Sequence, residues 1–238
     1  MSIYSSRLLL FVSLVLFIIP INIACSAILL KTNCKDNEQE HICIARGGIE
    51  YIYFYDEIDT PTYDRFMYVA SEVPLNKSFP KVYLNSHGGS PIYARQMGRI
   101  LRLRSAVVEG RDMISPEREP RCASACVELA AGGTTRNFVQ LQVHKGYIIS
   151  RIKGEEYDYK PMPEEEMIET KNYFSEMGIS SEVVDLINST SPDKEWIHIR
   201  YDAKKPFKEQ EIYRLGFLMD EKTAEELEKL HWDGEQDD

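Results

Sequence analysis

"RCASACVELAAGG", residues 121–133, is the stretch on which the reading of this chain turns. Ser124 stands between Cys122 and Cys126, with Ala123 and Ala125 as its neighbours, and an apolar run follows to a glycine pair. Such a run, closed by glycine, reads as a short helix. Ser124 then sits at the helix N-terminus, where a serine commonly acts as N-cap. A nucleophilic serine gains something further at that position. The next N–H, that of Ala125, is directed at the charge that develops on an attacked carbonyl, and the small neighbours leave room for a substrate. The surrounding residues do not spell G-x-S-x-G, so the α/β-hydrolase motif is absent.

A serine nucleophile needs a base. His144 is the best placed, 20 residues on, near the end of the alternating run "NFVQLQVHKGY" (137–147). His41, His198 and His231 lie in polar or charged stretches, and His87 is held in reserve because it sits in the glycine turn "LNSHGGS" (84–90). In that turn Gly88 and Gly89 free the backbone N–H groups from Cβ obstruction, which suits an anion or an oxyanion. The ordinary alternatives are a capping serine, a structural histidine and a plain strand-to-helix turn.

Working outward, "GGIEYIYFYDEI" (47–58), "KVYLNS" (81–86), "AVVEG" (106–110) and the run ending at His144 read as strands. "TPTYDRFMYVASEV" (60–73) reads as a helix capped by Thr60, and "SPIYARQMGRILRLR" (90–104) as an amphipathic helix opened by Ser90 and Pro91. The arginines of the latter, Arg95, Arg99, Arg102 and Arg104, are expected to form a solvated face. Helices are also expected over 162–178, 181–189 and 221–230. Strands alternating with helices predict an α/β layered fold.

The 238 residues, 43% hydrophobic and 28% charged, suffice for one medium domain. Residues 1–27 have the layout of a signal peptide: Arg7, an apolar run from Leu8 to Ile19, Pro20, then small residues ending at Ala27. An uncleaved membrane anchor is the rival, and lipidation of Cys25 a second one. Either way the remainder is expected outside the cytoplasm, periplasmic or secreted. Residues 28–46 form a polar, Cys-bearing lead-in and 47–238 the main domain. The formal charge is −10, and loss of Arg7 with the leader makes it −11. So acidic a chain repels phosphate backbones, which argues against nucleic acid as a partner. Without Cys25 four cysteines remain, Cys34, Cys43, Cys122 and Cys126, an even number that fits disulfides in an exported chain. Sequence proximity pairs Cys34 with Cys43 and Cys122 with Cys126, although three pairings are open. Cys122 and Cys126 could equally be two buried thiols. No metal is expected, because C-x2-C spacing and a histidine pair are both lacking.

Three pieces taken in order, "LNSHGGSPIYARQMGRIL", "CASACVELAAGGTTR" and "LQVHKGY", resemble the Clp protease proteolytic subunit and its relatives on the crotonase-like fold. The chain is most similar to the exported, Clp-protease-like periplasmic proteins of bacteria. The later "YFSEMGISSEVVDLINSTSPDKEWIHI" and "EIYRLGFL" also resemble that group, so the likeness runs from about Gly47 to Asp220. The resemblance implies an α/β fold of repeated ββα units and a serine-type peptidase acting on peptide or protein without a cofactor. It implies Ser124 as nucleophile, His144 as general base, and Gly88 or Gly89 with Ala125 as a backbone oxyanion hole. It implies a late acid, Asp193 first and Asp202 second, and a homo-oligomer of unspecified size. His87 and Lys145 depart from the Clp subunit, which has Pro and Gln at those places. A catalytically inactive relative that binds peptides or proteins in the same groove is the alternative, since one fold hosts many activities.

Overall fold

The structure, a computed structural model, describes residues 28–226 apart from 37, 152–156, 191–195, 203 and 224. The leader, Asp193 and the end of the acidic tail lie outside the described residues. No helix among those described is long and apolar enough to cross a membrane.

The described residues open with strand β1 (Ile28–Thr32) and a short helix α1 (Glu40–Ala45), and then repeat one pattern. Strand β2 (Ile49–Phe54), the two-residue strand β3 (Glu57–Ile58) and helix α2 (Thr60–Glu72) form the first unit. Strand β4 (Lys81–Leu84), the glycine pair as β5 (Gly88–Gly89) and helix α3 (Pro91–Leu103) form the second. Strand β6 (Val107–Gly110), the extended residues 122–123 and helix α4 (Ala125–Ala131) form the third. Strands β7 (Thr135–Asn137) and β8 (Gln140–Val143) begin a fourth, followed by β9 (Tyr147–Arg151), β10 (Tyr157–Pro161), α5 (Glu164–Glu176), α6 (Glu182–Ser189), β11 (Ile197–Arg200) and α7 (Glu211–Arg214).

The first strands of the units make a sheet in the order β1-β2-β4-β6-β7, antiparallel at β1–β2 and parallel elsewhere. Short apolar runs such as "KVYL" suit its interior, where parallel strands are covered on both faces. The second strands make another layer. In it β3 pairs with β5, Ser86 bridges Cys122, Ala123 bridges Gln142, and β8 pairs with β11. The site residues lie on this second layer, the glycine pair and Ser124 where a short strand gives way to a helix and His144 where β8 gives way to β9.

Several sequence expectations shift. The single strand expected over 137–147 breaks at Phe138–Val139 into β7 and β8, because Phe138 turns into the core against Phe217. The run 47–58 likewise splits into β2 and β3. Helix α2 is capped by Asp59, whose carboxylate accepts from Thr62 N–H, and not by Thr60. Ser90 does cap α3, accepting from Tyr93 N–H. Strand β1, in the polar lead-in, pairs along its whole length with β2.

The arginines of α3 are the largest departure. Arg95 is 5% exposed and ion-paired, while Arg102 and Arg104 donate to the carbonyls of Met177, Ala131, Val73 and Pro74. These three bind α3 to its neighbours, whereas Arg99 is exposed as expected and pairs with the exposed Glu176. The partners of the three lie 29 to 75 residues away, beyond the reach of any local pattern.

Helices α3 and α4 approach closely because glycines meet at the crossing: a Cβ on Gly132 would land on the backbone of Gly98. Gly132 has φ −65°, which alanine adopts freely, so the cost of substitution there is steric. Gly132→Ala is expected to destabilise the fold by about 1–3 kcal/mol, as overpacking does. A denaturant midpoint equal to wild type would show that the helices are further apart.

Candidate active site

Residues 122–123 are held from both sides. Ala123 N–H donates to Ser86 O, Gln142 N–H to Cys122 O and Ser124 N–H to Gln142 O, at 2.9–3.0 Å. The chain must then leave the sheet and start α4 within one residue. Ser124 makes that turn with φ 55° and ψ −126°, and it shares a positive φ only with Ser105 among the described non-glycine residues. Such a conformation costs about 1–3 kcal/mol and persists only where its surroundings enforce it. It is the strained strand-to-helix geometry of a nucleophile elbow, reached without the G-x-S-x-G sequence. Residues 122–133 are buried at every position except Ser124, so the turn delivers one hydroxyl to a surface. That hydroxyl does not cap α4.

Two features clamp the turn. Gly88, at φ 106°, packs so closely that a Cβ there would meet Ala123 O and the Ser124 Cβ at 2.7 Å. Cys122 and Cys126 are disulfide-bonded across the serine, with Cα atoms 5.2 Å apart, and Cys34 is bonded to Cys43 with Cα atoms 5.4 Å apart. The proximity pairing of the sequence is therefore the one present. Cys34, Glu38 and Cys43 cluster as a metal site might, but both sulfurs are spent on each other.

His144 follows β8 and lines the same cavity as Ser124, a space of about 530 Å³. Its Nδ1 lies 2.9 Å from Lys145 O. A carbonyl only accepts, so Nδ1 carries the proton and Nε2 is left with the lone pair a base needs. The imidazole packs on Trp196 with ring centroids 4.1 Å apart, and the Arg121 guanidinium sits 5.7 Å from the Trp196 ring. Burial pulls the His144 pKa below the ordinary histidine value, opposed by the Lys145 carbonyl. Lys145 itself is anchored through its N–H to Thr190 Oγ1.

Gly89 and Ala125 also line this cavity, and His87 stands at it. Gly88 N–H is engaged with Ser86 Oγ at 3.1 Å, which favours Gly89 over Gly88 as the oxyanion donor. Ala125 is the first residue of α4, where N–H groups lack an intrahelical acceptor. Asp202, the second choice of acid, caps a turn by accepting from Lys204 N–H and pairs with Lys205.

Sequence reasoning missed Trp196, Arg121, Glu128 and Arg95. Arg121 adjoins the cysteine that opens the serine segment, and Glu128 is the one acid in its apolar run; both were visible signals. Glu128 lines the cavity, and burial pushes its carboxyl up to about 7 against the pull of Arg95.

Comparison with known proteins gives the fold. No protein-family profile and no curated protein matches the sequence. Among solved structures, a mutant form of the 1510-N membrane-bound stomatin-specific protease aligns at TM-score 0.50 and 12% identity, over 75% of this chain and 81% of its own. ClpP1 from Listeria monocytogenes aligns at 0.42 and 12%, over 62% and 82%. The ClpP protease catalytic domain from Plasmodium falciparum aligns at 0.40 and 17%, over 70% and 86%. The chain has the α/β, Clp-protease-like fold.

Two measurements check the site geometry. Ser124→Gly relieves the strain of about 1–3 kcal/mol and adds about 0.5–1 kcal/mol of unfolded-chain entropy. The net is a stabilisation of order 1 kcal/mol, with Tm up by a few degrees. A lower Tm would mean the turn is not strained. NMR titration should place His144 below 6.5. In the window between its folded pKa and 6.5 the unfolded chain binds more protons, so stability falls as pH falls through it. A His144 titration above 7 would contradict this environment.

Proposed function

We propose that the chain is an exported serine peptidase, with Ser124 as nucleophile, His144 as general base, and the N–H groups of Gly89 and Ala125 as the oxyanion hole. The observation that carries this reading is the Ser124 turn: a strained, half-buried serine at the start of α4, opening into the cavity that His144 lines. Strain at a lone capping serine would have no return, whereas at a nucleophile it sets the direction of attack.

The chemistry is acyl transfer to water. Ser124 Oγ attacks the peptide carbonyl while its proton passes to His144 Nε2. The carbonyl oxygen gains the charge, which the two N–H groups stabilise. The imidazolium then protonates the leaving amine, and the peptide C–N bond breaks. Water repeats the sequence on the acyl-enzyme and restores Ser124. Each oxyanion donor of this kind is worth about 2.7–4 kcal/mol. The Lys145 carbonyl holds the imidazole tautomer in the described structure. Asp193, outside the described residues, stays our candidate for the acid. Export to the periplasm or beyond is supported by the leader-like residues 1–27 and by two disulfides, which persist in oxidising compartments. A homo-oligomer is proposed on the family resemblance alone.

The second reading, a peptide- or protein-binding relative without activity, is favoured by one observation: His144 Nδ1 meets a backbone carbonyl, that of Lys145, at 2.9 Å. Catalytic hydrogen bonds often tighten only when substrate binds. A fluorophosphonate probe separates the two. We expect it to label the wild type, and labelling to be lost in Ser124→Ala and to fall at least a hundredfold in His144→Ala. A folded, oxidised wild type that takes no label would favour the binding protein. Gly88→Ala should also abolish labelling, because the added methyl strikes the serine turn.

A further inference from the structure

Beyond the nucleophile the cavity has a charged floor that the acyl-transfer chemistry does not use. Its walls include Val127, Val143, Met162, Met167, Phe174 and Ile187, all apolar. Glu128 and Thr170 also line it. Glu128 is 8% exposed, and Arg95 Nη1 donates to its Oε2 at 2.9 Å and to Thr170 Oγ1 at 3.1 Å. Arg95 Nη2 binds Glu166. Three helices therefore meet at this floor, α3 through Arg95, α4 through Glu128 and α5 through Glu166 and Thr170.

The charges do not balance. One guanidinium faces two carboxylates, and among the described residues Arg95 is the sole cation paired with Glu128. A buried carboxylate has room for several donors on its two oxygens, and here one donor reaches Oε2. Both terminal nitrogens of Arg95 are already engaged, so the floor has little to offer an acidic ligand. An unbalanced buried carboxylate is costly, and a cation that brings its own donors relieves the cost.

Position matters as much as charge. Glu128 follows Ser124 by four residues, in the first turn of α4, and both line the cavity. That displaces it by roughly 6 Å along the helix axis. A side chain extending from the carbonyl under attack would enter a cavity lined by Met162, Met167 and Phe174 as well as by this carboxylate. Lysine matches that profile, with a four-carbon apolar stem and a compact ammonium at its end.

We propose that this cavity is the specificity pocket for a long basic side chain, lysine above all, on the acyl side of the scissile bond, with Glu128 as its acceptor. The proposal rests on the peptidase reading for its chemistry, but the pocket can be tested without catalysis. Peptides differing only at that residue, Lys or norleucine, would be compared on the wild type by hydrolysis and on Ser124→Ala by calorimetric binding. Norleucine keeps the stem and removes the charge. We expect Lys to be preferred at least tenfold in both assays, and the Lys-to-norleucine ratio to fall at least tenfold in Glu128→Gln. Glu166→Gln, which leaves the Arg95 guanidinium to Glu128 alone, should lower the ratio in the same direction and serves if Glu128→Gln does not fold. A wild type that favours norleucine, or variants that leave the ratio unchanged, would overturn the pocket assignment. Lys-selective binding without hydrolysis or fluorophosphonate labelling would sustain the pocket and overturn the peptidase. Absence of binding to any of these peptides would overturn the pocket, even if the labelled serine upheld the enzyme.

Discussion

The geometry around the cavity depends on one backbone constraint, the left-handed turn at Ser124. Its preceding residues are fixed between the 86–89 strand and β8, and its following residue must begin α4. No relaxed conformation of an L-residue satisfies both, so the strain is carried where three segments hold it in place. Gly88 can lie against the turn only because it has no side chain, and the Cys122–Cys126 disulfide spans it. The hydroxyl is thus aimed by the backbone and does not depend on its own hydrogen bonds.

The two-layer arrangement explains why the functional groups converge. Each ββα unit ends its short second strand at the same edge, where the chain turns into a helix. The glycine turn of the second unit, the serine turn of the third and His144 at the end of β8 therefore arrive at one cavity from three separate stretches of sequence. The buried Arg95–Glu128 pair ties two of the helices that leave this edge, so the packing of the units and the floor of the cavity share residues.

Much of this was legible in the sequence, and what was not has a physical reason. The serine turn, the glycine pair and the histidine were readable because short-range features mark them: small neighbours, adjacent glycines, an alternating strand. Ser90 at the start of α3 was readable from its Pro91 neighbour. The role of the α3 arginines was not, because a helical arginine looks solvent-facing until its partner appears far along the chain, as Met177 does for Arg102. Glu128 stands out locally as the one acid in an apolar run, but nothing near it in sequence marks its ion partner, Arg95, 33 residues away. Trp196 stacks on His144 across more than fifty residues, and no spacing rule reaches that far. The strand break at Phe138 followed from tertiary packing, which overrode a clean alternation.

The central claim is that Ser124 is an activated nucleophile whose oxyanion is received by the backbone at Gly89 and Ala125. The most direct measurement is a crystal structure of the wild-type protein after reaction with a peptidyl phosphonate. The account predicts a covalent bond from phosphorus to Ser124 Oγ, with the phosphoryl oxygen about 2.7–3.1 Å from both nitrogens. An unmodified Ser124, or an adduct whose oxygen points away from those N–H groups, would contradict it.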